Sequence, residues 1–137
     1  MTQQRITVIR GDGIGPDIID ATTKILDKVG CDFAYDYADA GLVALEEHGE
    51  LLPQETLDLI AKNKVALKGP LTTPVGEGFT SINVSLRKQF KLYANLRPVM
   101  SFKGTKARYE DIDIITVREN TQGMYSGLGQ VVSEDGN

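Results

Sequence analysis

The chain has 137 residues, 41% hydrophobic and 25% charged, with 15 Lys and Arg against 19 Asp and Glu for a net charge of −4. That length and balance fit one globular domain with a real core and exclude a disordered chain or a stapled mini-protein. With a pI near 5.0, the chain lacks the basic face of a general nucleic-acid binder, and no apolar run nears the ~20 residues of a membrane span. Cys31 is the single cysteine and forms no internal disulfide. The N-terminus MTQQRITVIRG carries no secretory apolar core, so the expected setting is cytoplasmic and reducing.

In chain order, Arg5–Ile9 (RITVI) is a short β-branched strand ended by Gly11, Gly13 and Gly15. Pro16 sits where a first helical residue belongs. Ile18, Ala21, Thr22, Ile25, Leu26 and Val29 then recur at helical spacing up to a stop at Gly30. Residues 31–37 alternate Cys31, Phe33, Tyr35 and Tyr37 on one face and read as a second strand. Helices follow over Gly41–His48, stopped by Gly49, and over Gln54–Lys62, entered through Pro53; Val65–Leu67 is another strand. The order β-α-β-α-α-β points to an α/β domain with mostly parallel strands. Residues 71–80, LTTPVGEGFT, form one long loop at a strand's C-terminal edge, a place where loops carry function. Ser81–Gln89 reads as a helix, Leu92–Leu96 as a strand, and Ile112–Val117 as a strand delivering Arg118-Glu119-Asn120 at its end.

A strand, glycines and a helix invite a dinucleotide-fold reading, but the third glycine of G-x-G-x-x-G falls on Pro16. Asp36, near the end of the second strand, mimics a ribose-binding acid by position alone. An ordinary Rossmann site is therefore disfavoured, and a glycine turn of purely structural purpose accounts for the loop equally well. More informative are Arg87, near a helix end, and Arg97 and Arg118, each placed just past an apolar strand. Three guanidiniums beside a Gly/Pro/Thr loop suit a polyanion, because their forks match carboxylates bidentately.

These segments resemble the β-decarboxylating dehydrogenases, the family of isocitrate, isopropylmalate, homoisocitrate and tartrate dehydrogenases. The resemblance runs end to end through GDGIGP, LPQETLDLIAKNKVALKGPLTTP, SINVSLR, LYANLRP and VRENTQGMY. Ser81 and Asn83 in SINVSLR are similar to the isocitrate-specific version, where isopropylmalate enzymes carry apolar residues, and ITVRENTQGMYSG looks most like the NAD-dependent isocitrate enzymes. The resemblance implies an α/β fold of isocitrate/isopropylmalate dehydrogenase type, a mixed sheet flanked by helices rather than an ordinary Rossmann fold, and incomplete in this chain. It implies residues 1–98 as the N-terminal part of a large domain and 99–137 as the crossing into a smaller one.

The implied function is oxidative decarboxylation of isocitrate to 2-oxoglutarate with NAD, or NADP, as oxidant. Arg87, Arg97 and Arg118 would clamp the substrate carboxylates, and Ser81 and Asn83 the carboxylate that distinguishes isocitrate. Thr72 and Asn83 would contact the nicotinamide half of the cofactor, and Tyr125 would pass a proton to the enolate left by decarboxylation. That enolate is stabilised by Mg2+ or Mn2+ in a complete enzyme, although no residue of this chain matches a metal ligand; Asp111 and Asp113 carry no supporting motif. Lys68 and His48 have no implied role. Family members run more than twice this length and form homodimers or higher homo-oligomers, so the chain is expected to be an N-terminal portion, inactive alone. Related enzymes are switched off by phosphorylation at the serine matching Ser81, where a phosphate of about −1.5 to −2 charges would compete with substrate carboxylates. The alternatives are a malate-type relative acting on isopropylmalate, homoisocitrate or tartrate, and a non-catalytic subunit or fragment that binds a tricarboxylate.

Overall fold

The structure, a computed structural model, describes residues 3–72 and 81–122. The chain divides into two compact units, the first closing at Asn83 and the second opening at Val84.

In the first unit β1 (Gln4–Ile9), β2 (Phe33–Ala38) and β3 (Ala66–Lys68) form a parallel sheet in the order β2-β1-β3. The central β1 is flanked on both sides, which is why Ile6–Ile9 are all buried although Thr7 is polar. Successive strand residues point to opposite faces. Ile6 and Val8 meet Ile19 of helix α1 (Gly15–Lys28), with Phe33, Tyr35 and Leu67 packed around them. Thr7 points the other way: its hydroxyl donates to the Leu59 carbonyl and accepts from the Asn63 amide, both on helix α3 (Gln54–Asn63). Helices α1 and α3 therefore cover opposite faces of the sheet. Helix α2 (Leu42–His48) starts from Gly41, whose φ of 87° suits glycine, and ends at the left-handed Gly49.

The helical stripe expected on α1 is only partly the buried one. Gly15, Ile19 and Thr23 face inward, whereas Ile18, Ile25 and Val29 are exposed. The central strand presents just Ile6 and Val8 on that side, with Phe33, Tyr35 and Leu67 around them, and the row centred on Ile19 is the one that packs there. The expected face of β2 is likewise divided: Phe33 and Tyr35 join the core, while Tyr37 is exposed. The Tyr35 hydroxyl donates to Asp27 Oδ1 at 2.9 Å, tying β2 to α1, and burial with that bond pushes the phenol up to about 12.

The second unit holds most of helix α4 (Ile82–Gln89) and an antiparallel ribbon of β4 (Ala94–Met100) and β5 (Asp113–Glu119). Both strands run further than the sequence suggests, so Arg97 and Arg118 lie inside them rather than just past them. The extension carries β4 through Pro98, a residue usually excluded from a paired strand interior. Here the ladder bonds run from Ser101 N to Ile112 O and from Asn120 N to Tyr93 O. The hydrogen-bonded pairs are therefore at odd positions of β4, and Pro98, opposite Ile115, occupies a position that owes β5 no N–H.

One ion-paired network spans the first sheet. The Arg5 guanidinium and Asn63 amide both donate to Asp36, and Arg5 above all holds that carboxyl below its usual range. A carboxyl with a depressed folded-state pKa stabilises the fold above its unfolded value of ~3.9 and ceases to do so as pH falls through the folded value. Asp36→Asn is therefore expected to melt below the wild type at pH 7, with the gap in Tm closing as pH falls below about 4. A gap that ignores pH in a thermal-melt series would remove Asp36 from this role.

Candidate functional site

The glycine loop is built against the loop after β3. A Cβ on Gly11 would overlap the carbonyl oxygen of Pro70, and Cβ atoms on Gly15 and Gly69 would each overlap that of Arg10. The Asp12 amide donates to the Pro70 carbonyl at 2.8 Å, and Gly69 N donates to Ile9 O at 2.8 Å. Gly11 and Gly69 thus serve the close approach of two backbone segments, and Gly15 the tight turn that follows β1. Gly13, with φ of 58° and open space around it, is the one glycine of the loop whose Cβ position is free. Asp36, the acid placed like a ribose ligand, is engaged by Arg5 and Asn63 instead.

Asp12 went unremarked in the sequence and is the residue on which this region converges. It is buried; its Oδ1 accepts from Leu42 N at 2.9 Å and Val43 N at 3.4 Å, and its Oδ2 accepts from Thr72 N at 2.6 Å. The partners lie 30 and 60 residues away in the chain, so no local pattern announces them. Thr72 itself is exposed, with its backbone held by this bond.

Ser81 stands immediately before α4, and Asn83 and Arg87 are one helical turn apart on it. Ile82 and Leu86, also one turn apart, are the buried side of that helix. The Arg87 carbonyl accepts from Leu92 N at 2.9 Å, part of a turn in which Lys91 adopts a φ of 51°.

Strand pairing brings Arg97 and Arg118 together. Arg97 is opposite Thr116 and Asn95 is opposite Arg118. Cross-strand partners share a face, as do residues two apart on one strand, so the two arginines are diagonal neighbours on one face with Asn95 and Thr116 between them. The chain after Arg118 is pinned. Glu119 accepts from Thr121 N at 2.6 Å and Gln122 N at 2.8 Å, while the buried Asn120 donates its backbone N–H to Tyr93 O at 3.1 Å. The Thr121 hydroxyl, with those amides, keeps the Glu119 carboxyl below its ordinary range. Tyr125 lies outside the described residues.

Thr72, Ser81 and Asn83 belong to the first unit, and Arg87, Arg97 and Arg118 to the second. A concavity of about 590 Å3 in the β4–β5 connection, lined by Phe102, Tyr109 and Ile112 among others, contains none of these residues. Among the described residues Asp39, Glu47 and His48 cluster closely enough to hold a cation, but all three are exposed and none is a candidate site residue.

Comparison with known proteins follows the same lines. The profile of the isocitrate/isopropylmalate dehydrogenase family matches residues 5–136. The chain belongs to this family. It is 44% identical over 125 residues to a probable isocitrate dehydrogenase (NAD) subunit alpha, mitochondrial, of Caenorhabditis elegans, covering 91% of this chain and 35% of that protein. It is 43% identical over 124 residues to a chloroplastic 3-isopropylmalate dehydrogenase of Solanum tuberosum, covering 90% and 35%. The fold is similar to that of an isocitrate dehydrogenase from Methylococcus capsulatus, with a TM-score of 0.87 and 48% identity over 96% of this chain and 39% of the other. The chain thus spans about a third of the length of the curated relatives it matches.

The backbone contact at the glycine loop has a direct test. Gly11→Ala combines a φ of 79° with a clash against Pro70, and is expected to cost about 2–4 kcal/mol. Gly13→Ala, with the left-handed φ alone, is expected to cost only about 1–2 kcal/mol. Urea unfolding of the two variants separates the cases, and equal costs would mean that the Gly11–Pro70 approach is not constraining.

Proposed function

We propose that this chain supplies part of the substrate and cofactor site of an NAD-dependent isocitrate dehydrogenase, which oxidises and decarboxylates isocitrate to 2-oxoglutarate. The observation that carries the reading is the pairing of Arg97 and Arg118 on one ribbon face, backed by the family of the chain. Two guanidiniums at fixed strand positions offer forks to carboxylates of one small polyanion, and strand positions orient a substrate better than loop positions do. Arg87 is the third arm of the clamp. Ser81 and Asn83 bind the carboxylate that marks isocitrate, and Tyr125 hands a proton to the carbon that has lost carbon dioxide.

The exposed Thr72 and the half-buried Asn83 offer neutral hydrogen-bonding groups of the kind a nicotinamide carboxamide takes. NAD, when bound, supplies the hydride acceptor, with NADP the variant. The chain's own residues hold C2 of the substrate toward it, which is where a rigid clamp acts on rate. Mg2+ or Mn2+ is assigned, as the family resemblance implies, to a part of the complete enzyme outside this chain. We further propose residues 1–98 as part of a large domain and 99–137 as the crossing to a smaller one, a homodimeric or higher assembly, and a cytoplasmic setting that suits the unpaired Cys31.

A second reading, isopropylmalate as substrate, is favoured by the near-equal identity to the potato enzyme. The polar Ser81 and Asn83 weigh against it, because an alkyl group meets no apolar partner at either. The test measures NAD reduction with isocitrate and with 3-isopropylmalate side by side, using the protein purified from its own host. The expected result is turnover of isocitrate at least 100-fold better in kcat/KM, a margin typical when a site built for a polar group meets an analogue lacking it. The reverse preference overturns the assignment.

Arg97→Lys keeps the charge but loses the fork. It is expected to lower kcat/KM for isocitrate by about 10²-fold, the scale of a misoriented reactant. An unchanged value in steady-state kinetics would place Arg97 outside the site.

A further inference from the structure

We propose that Asp12 is a positioning residue for the cofactor site, acting through the backbone of Thr72. The inference rests on the reading of Thr72 as a nicotinamide contact and adds the residue that sets it in place.

Two bonds from one residue fix the stretch Pro70–Thr72. The Asp12 amide donates to Pro70 O at 2.8 Å, and Asp12 Oδ2 accepts from Thr72 N at 2.6 Å. The other side-chain oxygen, Oδ1, accepts from the first two amides of α2, Leu42 N and Val43 N. Both oxygens are thus spent as acceptors in a buried position. Gly41 is part of the same fit, since a Cβ there would overlap Asp12 Oδ2. The side chain of Asp12 cannot swing toward α2 without meeting Gly41, nor toward Thr72 without losing α2. The position of the Thr72 main chain, and with it the origin of its side chain, is set by a group fixed from the opposite side.

Asparagine cannot reproduce this arrangement, because its amide nitrogen would face either the Thr72 N–H or the α2 amides donor to donor. The variant is nearly isosteric, so the change is one of bonding rather than of volume. Misplacement of Thr72 would weaken the cofactor side of the site and leave the carboxylate clamp untouched.

The experiment is a cycle of Asp12→Asn, Thr72→Ala and the double variant in the protein purified from its own host, with KM for NAD and KM for isocitrate measured separately. Thr72→Ala leaves the Thr72 N–H in place, so it removes the side chain without breaking the bond to Asp12. We expect Asp12→Asn to raise KM for NAD about tenfold with KM for isocitrate changed less than twofold, and the double variant to be no worse than Thr72→Ala alone. Leu42→Pro is the control: it removes one of the two bonds to Oδ1 at a first helical position where proline is tolerated, Val43 N still holds that oxygen, and the variant is expected to lower Tm with a rise in KM for NAD well below that of Asp12→Asn. If Asp12→Asn fails to fold, Asp12→Ser enters the same cycle, since it fits the space and brings no opposing amide. Independent, additive losses in both substrates, or an equal rise in KM for NAD from Leu42→Pro, would reduce Asp12 to a fold residue and overturn the proposal. If Thr72→Ala leaves KM for NAD unchanged while isocitrate turnover persists, it is the assignment of Thr72 that fails, and the positioning proposal falls with it.

Discussion

Two loops of the first unit approach so closely that their backbones leave no room for a Cβ. Arg10 O lies where side chains on Gly15 and Gly69 would begin, and Pro70 O where one on Gly11 would. This contact lets the β1–α1 turn and the segment after β3 share a single residue, Asp12, as their hydrogen-bond centre. Everything at the C-terminal edge of the parallel sheet inherits its position from there. The start of α2 is held by Oδ1, the segment at Thr72 by Oδ2, and the start of α1 by the Gly15 amide donating to Asp12 O at 2.9 Å. A buried side chain that accepts three amides is costly to alter, because three N–H donors lose their acceptor together.

The same contact explains why the glycine pattern misleads. A G-x-G turn between strand and helix is the expected opening of a phosphate cradle. In this chain Gly11 answers a different steric demand, that of a neighbouring loop. Sequence spacing cannot separate the two, since both need a residue without a Cβ at the same turn. The missing third glycine at Pro16 was the only local hint. Pro16 in the first turn of α1 is consistent with a helix that starts on protein backbone.

Elements whose signals are local were legible: β1, the bounds of α3 and the left-handed stop after α2 follow from β-branched runs, periodicity and glycine. What failed to show were properties that depend on partners distant in sequence. The buried row of α1 was set by Ile6 and Val8 beneath it, and so Ile18 and Ile25 stay exposed despite their periodicity. The reach of β4 through Pro98 was set by the hydrogen-bond phase of the ribbon, which a strand read by itself does not carry. Of the candidate site, the residue types were readable and one juxtaposition, Arg97 with Arg118, became visible only with the register. Asp12 was invisible for the same reason: its meaning lies in amides 30 and 60 positions away.

That ribbon imposes a further physical condition. The arginine face also carries Asn95 and Thr116 with Val99 and Ile114 at its far end, whereas the reverse face lines up Leu96, Pro98, Met100, Ile115 and Val117 between Glu119 and Asp113. Each large side chain of that row is more than half exposed, Leu96 and Ile115 at 65% and Val117 at 66%. A two-stranded ribbon is marginal by itself, and an apolar face of this kind is stable in water only when covered. The register that sets this apolar row on one face is the same register that sets Arg97 and Arg118 as diagonal neighbours on the other, so whatever covers the row holds the pairing on which that juxtaposition depends.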